Sequence, residues 1–140
     1  MQFSYHSVVL SLGSNCGDRT GNVSKAMEWL KETVLSEAEC SSIYETAPIG
    51  HSGGNYINAV VSGTYSGMLD SLEKECKEYE LAHGRDAESR IFNRVPVDID
   101  IVIADEKIIR PRDFRCSFFQ EGFKQLMIGS EFNLKVSKLP

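Results

Sequence analysis

Two rhythms of apolar and polar residues alternate along the chain, and each change of rhythm marks an element. Val8-Val9-Leu10-Ser11-Leu12 is an apolar run rich in β-branched residues, stopped by Gly13-Ser14-Asn15, and reads as a buried strand. Asp18 to Asn22 offers several helix caps, and Val23, Ala26, Met27, Leu30 and Val34 then recur at helical spacing, predicting an amphipathic helix to about Ser36. Trp29 falls beside that stripe and is read as packing. Glu39 to Thr46 reads as a second strand, ending at a loop marked by Pro48, Gly50, Gly53 and Gly54. Tyr56 to Tyr65 alternates apolar and small residues as a third strand. Leu69, Leu72, Cys76, Tyr79 and His83 then share one helical stripe, closed by Gly84. Arg85 to Arg94 is polar and reads as a mobile loop. Val97 to Ile103 is the strongest strand, and Asp105-Glu106 turns it into a short hairpin partner at Lys107-Ile108-Ile109. Beyond Lys124 the pattern weakens, and Phe132 to Pro140 receives no assignment.

Strand, helix, strand, strand, helix, strand is the order of a ferredoxin-like βαββαβ sandwich. It predicts an α+β fold with two helices on one face of an antiparallel sheet and an extra hairpin strand. With no internal linker, residues 1–140 are expected to form a single domain.

Composition narrows the function classes. No apolar run approaches the roughly 20 residues of a membrane span, and Met1 to Ser7 shows no basic-then-apolar leader, so a cytoplasmic protein is expected. Cys16, Cys40, Cys76 and Cys116 lie far apart with no C-x-x-C pair, which suggests neither a zinc site nor a disulfide framework. A net charge of −5 argues against general nucleic-acid binding. Small-molecule substrates and a monomer are the expected partners and state. Six of the seven arginines fall between positions 85 and 115, beside a carboxylate pair. Such forks suit a small polyanion carried with a metal, although a solvated charged surface has the same composition.

That pair is Asp98-Ile99-Asp100. Side chains alternate along a strand, so both carboxylates project one way, their Cα atoms roughly 6–7 Å apart. Like charges this close in an apolar run need a cation, either an arginine or a hard ion such as Mg²⁺; the plainer alternative is a half-exposed strand facing water. A second constellation is Thr46-Ala47-Pro48-Ile49-Gly50 with Tyr56-Ile57-Asn58. A loop shaped by Pro and Gly can present backbone groups to a flat heterocycle, Tyr56 can stack on it, and Asn58 offers a donor and an acceptor. Packing and turn roles are the alternative there. Gly13-Ser14-Asn15 lacks the pattern of a phosphate-binding glycine loop and reads as a tight turn.

Taken in order, Leu12-Gly13-Ser14-Asn15, Tyr44 to Gly50, Tyr56-Ile57-Asn58-Ala59, Glu80-Leu81 with Gly84-Arg85, Val97 to Ile101 and Gly122-Phe123 resemble the pterin pyrophosphokinases of folate synthesis. The resemblance implies transfer of pyrophosphate from ATP to 6-hydroxymethyl-7,8-dihydropterin with release of AMP. It implies two Mg²⁺ ions on Asp98 and Asp100 and a pterin ring between Tyr56 and Phe123. Thr46, Pro48, Ile49 and Asn58 would line the pterin site. ATP would meet Glu80 and Arg85, together with Arg94, Arg110, Arg112 or Arg115, and Arg85 and Arg94 would assist the transfer. Departures from the family pattern gather on the ATP side: Val95 and Glu121 stand where arginine is usual, Ala87 replaces a second lid arginine, a Pro-His pair is absent, and Arg112 to Ser117 looks shortened. These departures leave two alternatives to an active enzyme. One is a divergent member that binds pterin or nucleotide with little turnover, and the other is a ferredoxin-like interaction domain.

Overall fold

The computed structural model describes residues 4–50 and 53–127. Phe132 to Pro140, unassigned from the pattern, lies outside the described residues. Strand β1 (Tyr5–Ser14) leads through an Asp18 cap, whose carboxylate accepts the Gly21 N–H at 3.1 Å, into helix α1 (Arg19–Trp29). A π-helical turn at Leu30–Val34 ends that helix, with Leu35 N–H donating to Leu30 O five residues back. The segment read as one strand from Glu39 to Thr46 is two, β2 (Ser36–Cys40) and β3 (Tyr44–Thr46), both paired to the long strand β4 (Tyr56–Ser66). Ser41 bridges the gap. Its N–H donates to Val60 O and its hydroxyl accepts the Val60 N–H, both at 2.8 Å.

Helix α2 (Leu69–Ala82) ends at Gly84, whose φ of +101° a side chain would strain. Residues 85–94 are not loop throughout. Asp86 and Ser89 form a capping box that starts a short helix, α3 (Ala87–Ile91). Strand β5 (Asp98–Ala104) turns at Asp105-Glu106, both with φ above +50°, into β6 (Lys107–Ile108). This is the two-residue hairpin expected there. Two further helices follow, α4 (Pro111–Arg115) and α5 (Ser117–Met127).

The sheet runs β2-β4-β1-β5-β6, with β3 beside β4, and every pairing is antiparallel. This is the ferredoxin-like α+β architecture with its extra hairpin strand. Register sorts residues between the two faces. Leu10, Leu12, Ala59, Val61, Ile99 and Ile101 face α1 and α2 and are at most 6 % exposed. Each large aliphatic side chain among them adds about 1.5–3 kcal/mol of burial.

The opposite face is where the structure adds to the expectation of helices on one side. There Val9, Val60, Val102 and Ile103 pack against Phe119 and Phe123 of α5. The helix lies so close that a Cβ on Gly122 would fall 2.6 Å from Val60 Cγ2 and 2.7 Å from the Tyr44 hydroxyl. That hydroxyl donates to Phe118 O at 2.6 Å and accepts Gly122 N–H at 3.1 Å, pinning α5 to β3. Gly122→Ala should therefore destabilise the protein by about 1–3 kcal/mol through overpacking, measured as a lower urea midpoint with unchanged m-value.

Candidate active site

Helix α5 packs on Val9, Val60, Val102 and Ile103 of its face of the sheet. Along β1 the same-face positions run Val9, Ser11, Gly13; along β4 they run Val60, Asn58, Tyr56; along β5, Val102, Asp100, Asp98. Register aligns Asn58 with Gly13 and Gly13 with Asp98, and Val60 with Ser11 and Ser11 with Asp100. The apolar ends of these rows lie under α5. The polar ends border a cavity of ≈ 240 Å³ lined by Ser11, Leu12, Gly13, Thr46, Ala47, Ile49, Tyr56, Asn58, Asp98 and Phe118. Gly13 leaves the floor open, since a Cβ there would already touch Asn58 Oδ1 and the Tyr56 ring at 3.4 Å. Asn58, 2 % exposed, donates to Thr46 Oγ1 at 2.7 Å, which holds its amide in one orientation. Arg19 braces the adjoining loop from outside, donating to Glu45 Oε2 and Asn55 O, each at 3.0 Å.

The expected residues divide into two sets. Thr46, Ile49, Tyr56, Asn58 and Asp98 come together at the cavity, while Pro48 sits in the loop behind it. Phe123 does not reach the cavity. It is 3 % exposed and stacks on Phe119 with ring centres 5.2 Å apart. The aromatic ring that α5 presents to the cavity is Phe118. Phe119, Phe123 and Leu126 recur at i, i+4, i+7 towards the core, and Phe118, partly buried against the same cluster, also lines the cavity.

Asp98 and Asp100 lie on one face of β5, and Asp98 lines the cavity. Arg85 Nη1 donates to Asp98 Oδ1 at 3.0 Å, and Arg110 Nη1 approaches Asp100 Oδ1 at 3.9 Å. Burial and the neighbouring Asp100 push the Asp98 carboxyl well above the usual carboxylate range. Burial also works against the Asp100 charge, but a hydrogen bond with Asp98 and the charges of Lys77 and Arg110 outweigh it and hold Asp100 low. The pair is thus split as two carboxyls competing for one environment, a common mark of a functional site. Among the described residues no group of three or more His, Cys, Asp or Glu side chains is arranged to hold a metal. Any ion here would rest on the two aspartates and on ligand oxygens.

The basic residues separate in the same way. Arg85 is at the carboxylates, and its buried Nε has no hydrogen-bond partner among the described residues. Arg110 is at Asp100, its Nε held by Asp113 at 2.6 Å. Arg94 is exposed, with its guanidinium 5.5 Å from the Phe92 ring centre, and makes no ion pair with either aspartate. Arg112 and Arg115 are exposed on α4 and also lie apart from the pair. Glu80, expected on the nucleotide side, is a buried brace. Its Oε2 accepts the Ile99 N–H at 2.8 Å and Lys77 at 2.9 Å.

Besides Phe118, two polar residues beside the site were not singled out as site residues by the pattern. Lys77 sits three residues before Glu80 and reaches Asp100 Oδ1 at 3.2 Å; only the helical spacing to Glu80 could have pointed to it. Asn15 is the other. The stretch read as a tight turn is the end of β1, and Asn15 beyond it clamps the segment that leaves α3. Its N–H donates to Val95 O at 2.8 Å, its Oδ1 accepts the Val95 N–H at 2.5 Å, and its Nδ2 donates to Asn93 O at 2.8 Å. Asn15→Ala should leave the part-buried Val95 N–H and Asn93 O without their side-chain partner, a local cost of about 1–3 kcal/mol. The check is hydrogen exchange at Val95, which should become roughly 10- to 100-fold faster by that energy.

Comparison with known proteins agrees with this geometry. A family model described as 7,8-dihydro-6-hydroxymethylpterin-pyrophosphokinase matches residues 9–128, from within β1 to the end of α5. A 2-amino-4-hydroxy-6-hydroxymethyldihydropteridine pyrophosphokinase of Aquifex aeolicus is 34% identical over 107 residues, covering 76% of this chain and 66% of that protein. A protein of the same description from Porphyromonas gingivalis is 34% identical over 108 residues, covering 69% and 67%. A folate synthesis bifunctional protein of Arabidopsis thaliana is 28% identical over 117 residues, which cover 79% of this chain but 24% of that much longer one. The chain therefore spans about a quarter of this bifunctional relative and about two thirds of the two single-activity ones. Because the family match takes in every strand and helix that builds the cavity and the carboxylate pair, the chain belongs to the 7,8-dihydro-6-hydroxymethylpterin-pyrophosphokinase family.

Proposed function

We propose that this chain transfers pyrophosphate from ATP to the hydroxymethyl oxygen of 6-hydroxymethyl-7,8-dihydropterin and releases AMP. One observation carries the reading: the cavity suited to a flat heterocycle and the aspartate pair suited to a metal–polyphosphate meet at a single residue, Asp98. A pterin ring in the cavity has Tyr56 and Phe118 for packing and the Thr46–Asn58 pair for its polar edge. Its hydroxymethyl arm then points at Asp98.

The residues present fit Mg²⁺. Two carboxylates on one face supply hard oxygen donors, and this ion commonly takes only one or two protein carboxylates and completes its shell with phosphate oxygens and water. When bound there it supplies charge neutralisation for the triphosphate and polarises the attacking hydroxyl. The chain's own groups do the rest. Arg85, with an unpartnered Nε beside the pair, has a donor available for a phosphate oxygen. Arg110 lies on the other side of the pair, near Asp100. The substrate oxygen bonds to the β-phosphorus as the bond to the AMP oxygen breaks. The hydroxyl proton passes to solvent. Positioning and charge, rather than covalent participation of the protein, carry such transfers.

Purified protein supplied with Mg²⁺, ATP and the hydroxymethyl pterin should release AMP in step with pterin consumption. Asp98→Asn should lower kcat by on the order of 100-fold or more, the usual scale for a lost transition-state charge contact. Retention of wild-type turnover in that variant would end the assignment. Gly13→Val should weaken pterin binding at least about tenfold by filling the floor of the cavity, the scale of a one- to two-methylene misfit. Calorimetric titration with the pterin checks this, alongside a melting curve for the variant.

A further inference from the structure

Arg85 serves Asp98, but the cation nearest Asp100 is not an arginine. Lys77 projects from α2, and its ammonium nitrogen lies 2.9 Å from Glu80 Oε2, 3.1 Å from Ile99 O and 3.2 Å from Asp100 Oδ1. Three donors meet three acceptors, which completes the bonding capacity of an ammonium group. Two of those acceptors belong to the fold. The Ile99 carbonyl is strand backbone, and Glu80, 4 % exposed, is also tied to the Ile99 N–H. The ammonium is therefore fixed where Asp100 presents its oxygen, the position a divalent ion needs.

Charge balance sharpens the point. With Asp98 ionised, Glu80, Asp98 and Asp100 carry three negative charges, and Lys77, Arg85 and Arg110 face them with three positive ones. A bare divalent ion entering this set adds two positive charges to a neutral cluster and meets a resident ammonium. The same ion on a polyphosphate arrives with its charge already offset. Lysine also suits a displaceable role, because its charge rides on a flexible four-carbon stem. The Lys77 side chain is 40% exposed, so its head has a route outwards, whereas Glu80 beneath it does not.

We propose that Lys77 is a resident counter-ion of the aspartate pair, excluding free divalent metal and yielding Asp100 only to metal that arrives with a nucleotide polyphosphate. This inference rests on the metal–nucleotide reading of the site given above. Lys77 thereby makes metal and nucleotide binding cooperative without supplying any chemistry of its own.

Mn²⁺, an oxygen-seeking probe visible by electron paramagnetic resonance, is titrated into nucleotide-free protein. Lys77→Gln should bind it about tenfold more tightly than wild type, the effect of removing one opposing charge at this range. Lys77→Arg should stay as weak as wild type, and the gain should vanish in the Lys77→Gln, Asp100→Asn double variant. Lys77→Met, of similar volume and uncharged, replaces the Gln variant if melting shows that one unfolded. A merely structural ion pair would lower the melting temperature and leave Mn²⁺ affinity alone. An affinity in the uncharged variant within twofold of wild type, or weaker, overturns the inference. If wild type still releases AMP in that case, the enzymatic reading stands and only the role of Lys77 falls. If wild type neither releases AMP nor binds Mn²⁺ in the presence of ATP, both fall together.

Discussion

Two like charges one strand repeat apart, on the same face of a strand next to the centre of the sheet, are the constraint around which the rest of this structure is arranged. Asp98 and Asp100 cannot both be ionised on an apolar sheet without compensation, and the neighbouring elements each contribute some. Helix α2 brings Lys77 and, at its C-terminal side, Arg85. The turn from β6 into α4 brings Arg110. Glu80 is an additional buried carboxylate that at first sight worsens the problem. It accepts from the β5 backbone and from Lys77, with Arg85 3.7 Å away, so it orders the cations that neutralise the pair.

The sheet separates this charged cluster from the core by the alternation of side chains. Alternate residues of β1, β4 and β5 up to Val102 face different layers: one set the hydrophobic layer under α1 and α2, the other the cavity and the second small core beneath α5, and a register shift opposite Val9-Leu10 then places Ile103 beneath α5 as well. Slipping β5 by one residue would put Ile99 on the cavity side and an aspartate in the core. The same register that stabilises the fold therefore keeps the site in place. Gly13 in the middle strand and the partial coverage by α5 leave the room that a ligand would occupy.

Much of this was legible in the chain. Periodicity located the strands, helices α1 and α2 and the β5–β6 hairpin, and their order implied the sheet, whereas α5 was not assigned. Alternation placed Asp98 and Asp100 on one side. The misses have physical causes. The break between β2 and β3 depends on Ser41 bonding to Val60 across the sheet, which no local pattern reveals. Helix α3 is five residues long, too short for a period to show, although its capping residues Asp86 and Ser89 were visible. The stripe of Phe119, Phe123 and Leu126 was a readable helical signal. Taking Gly122-Phe123 as a ligand-facing motif obscured it and assigned the cavity ring to Phe123 instead of Phe118.

What the sequence determined by itself was local and periodic: which segments are strand or helix, which side chains share a face, and that a carboxylate pair needs positive charge. Tertiary structure alone decided which positive charges meet that need. Six arginines crowd one stretch of chain, yet only Arg85 and Arg110 reach the aspartates, joined by a lysine from an earlier helix. The reason is geometric. An ion pair is set by the few ångströms between two side-chain ends, and those distances follow from how β5, α2 and α4 pack, not from how near their residues lie in the chain.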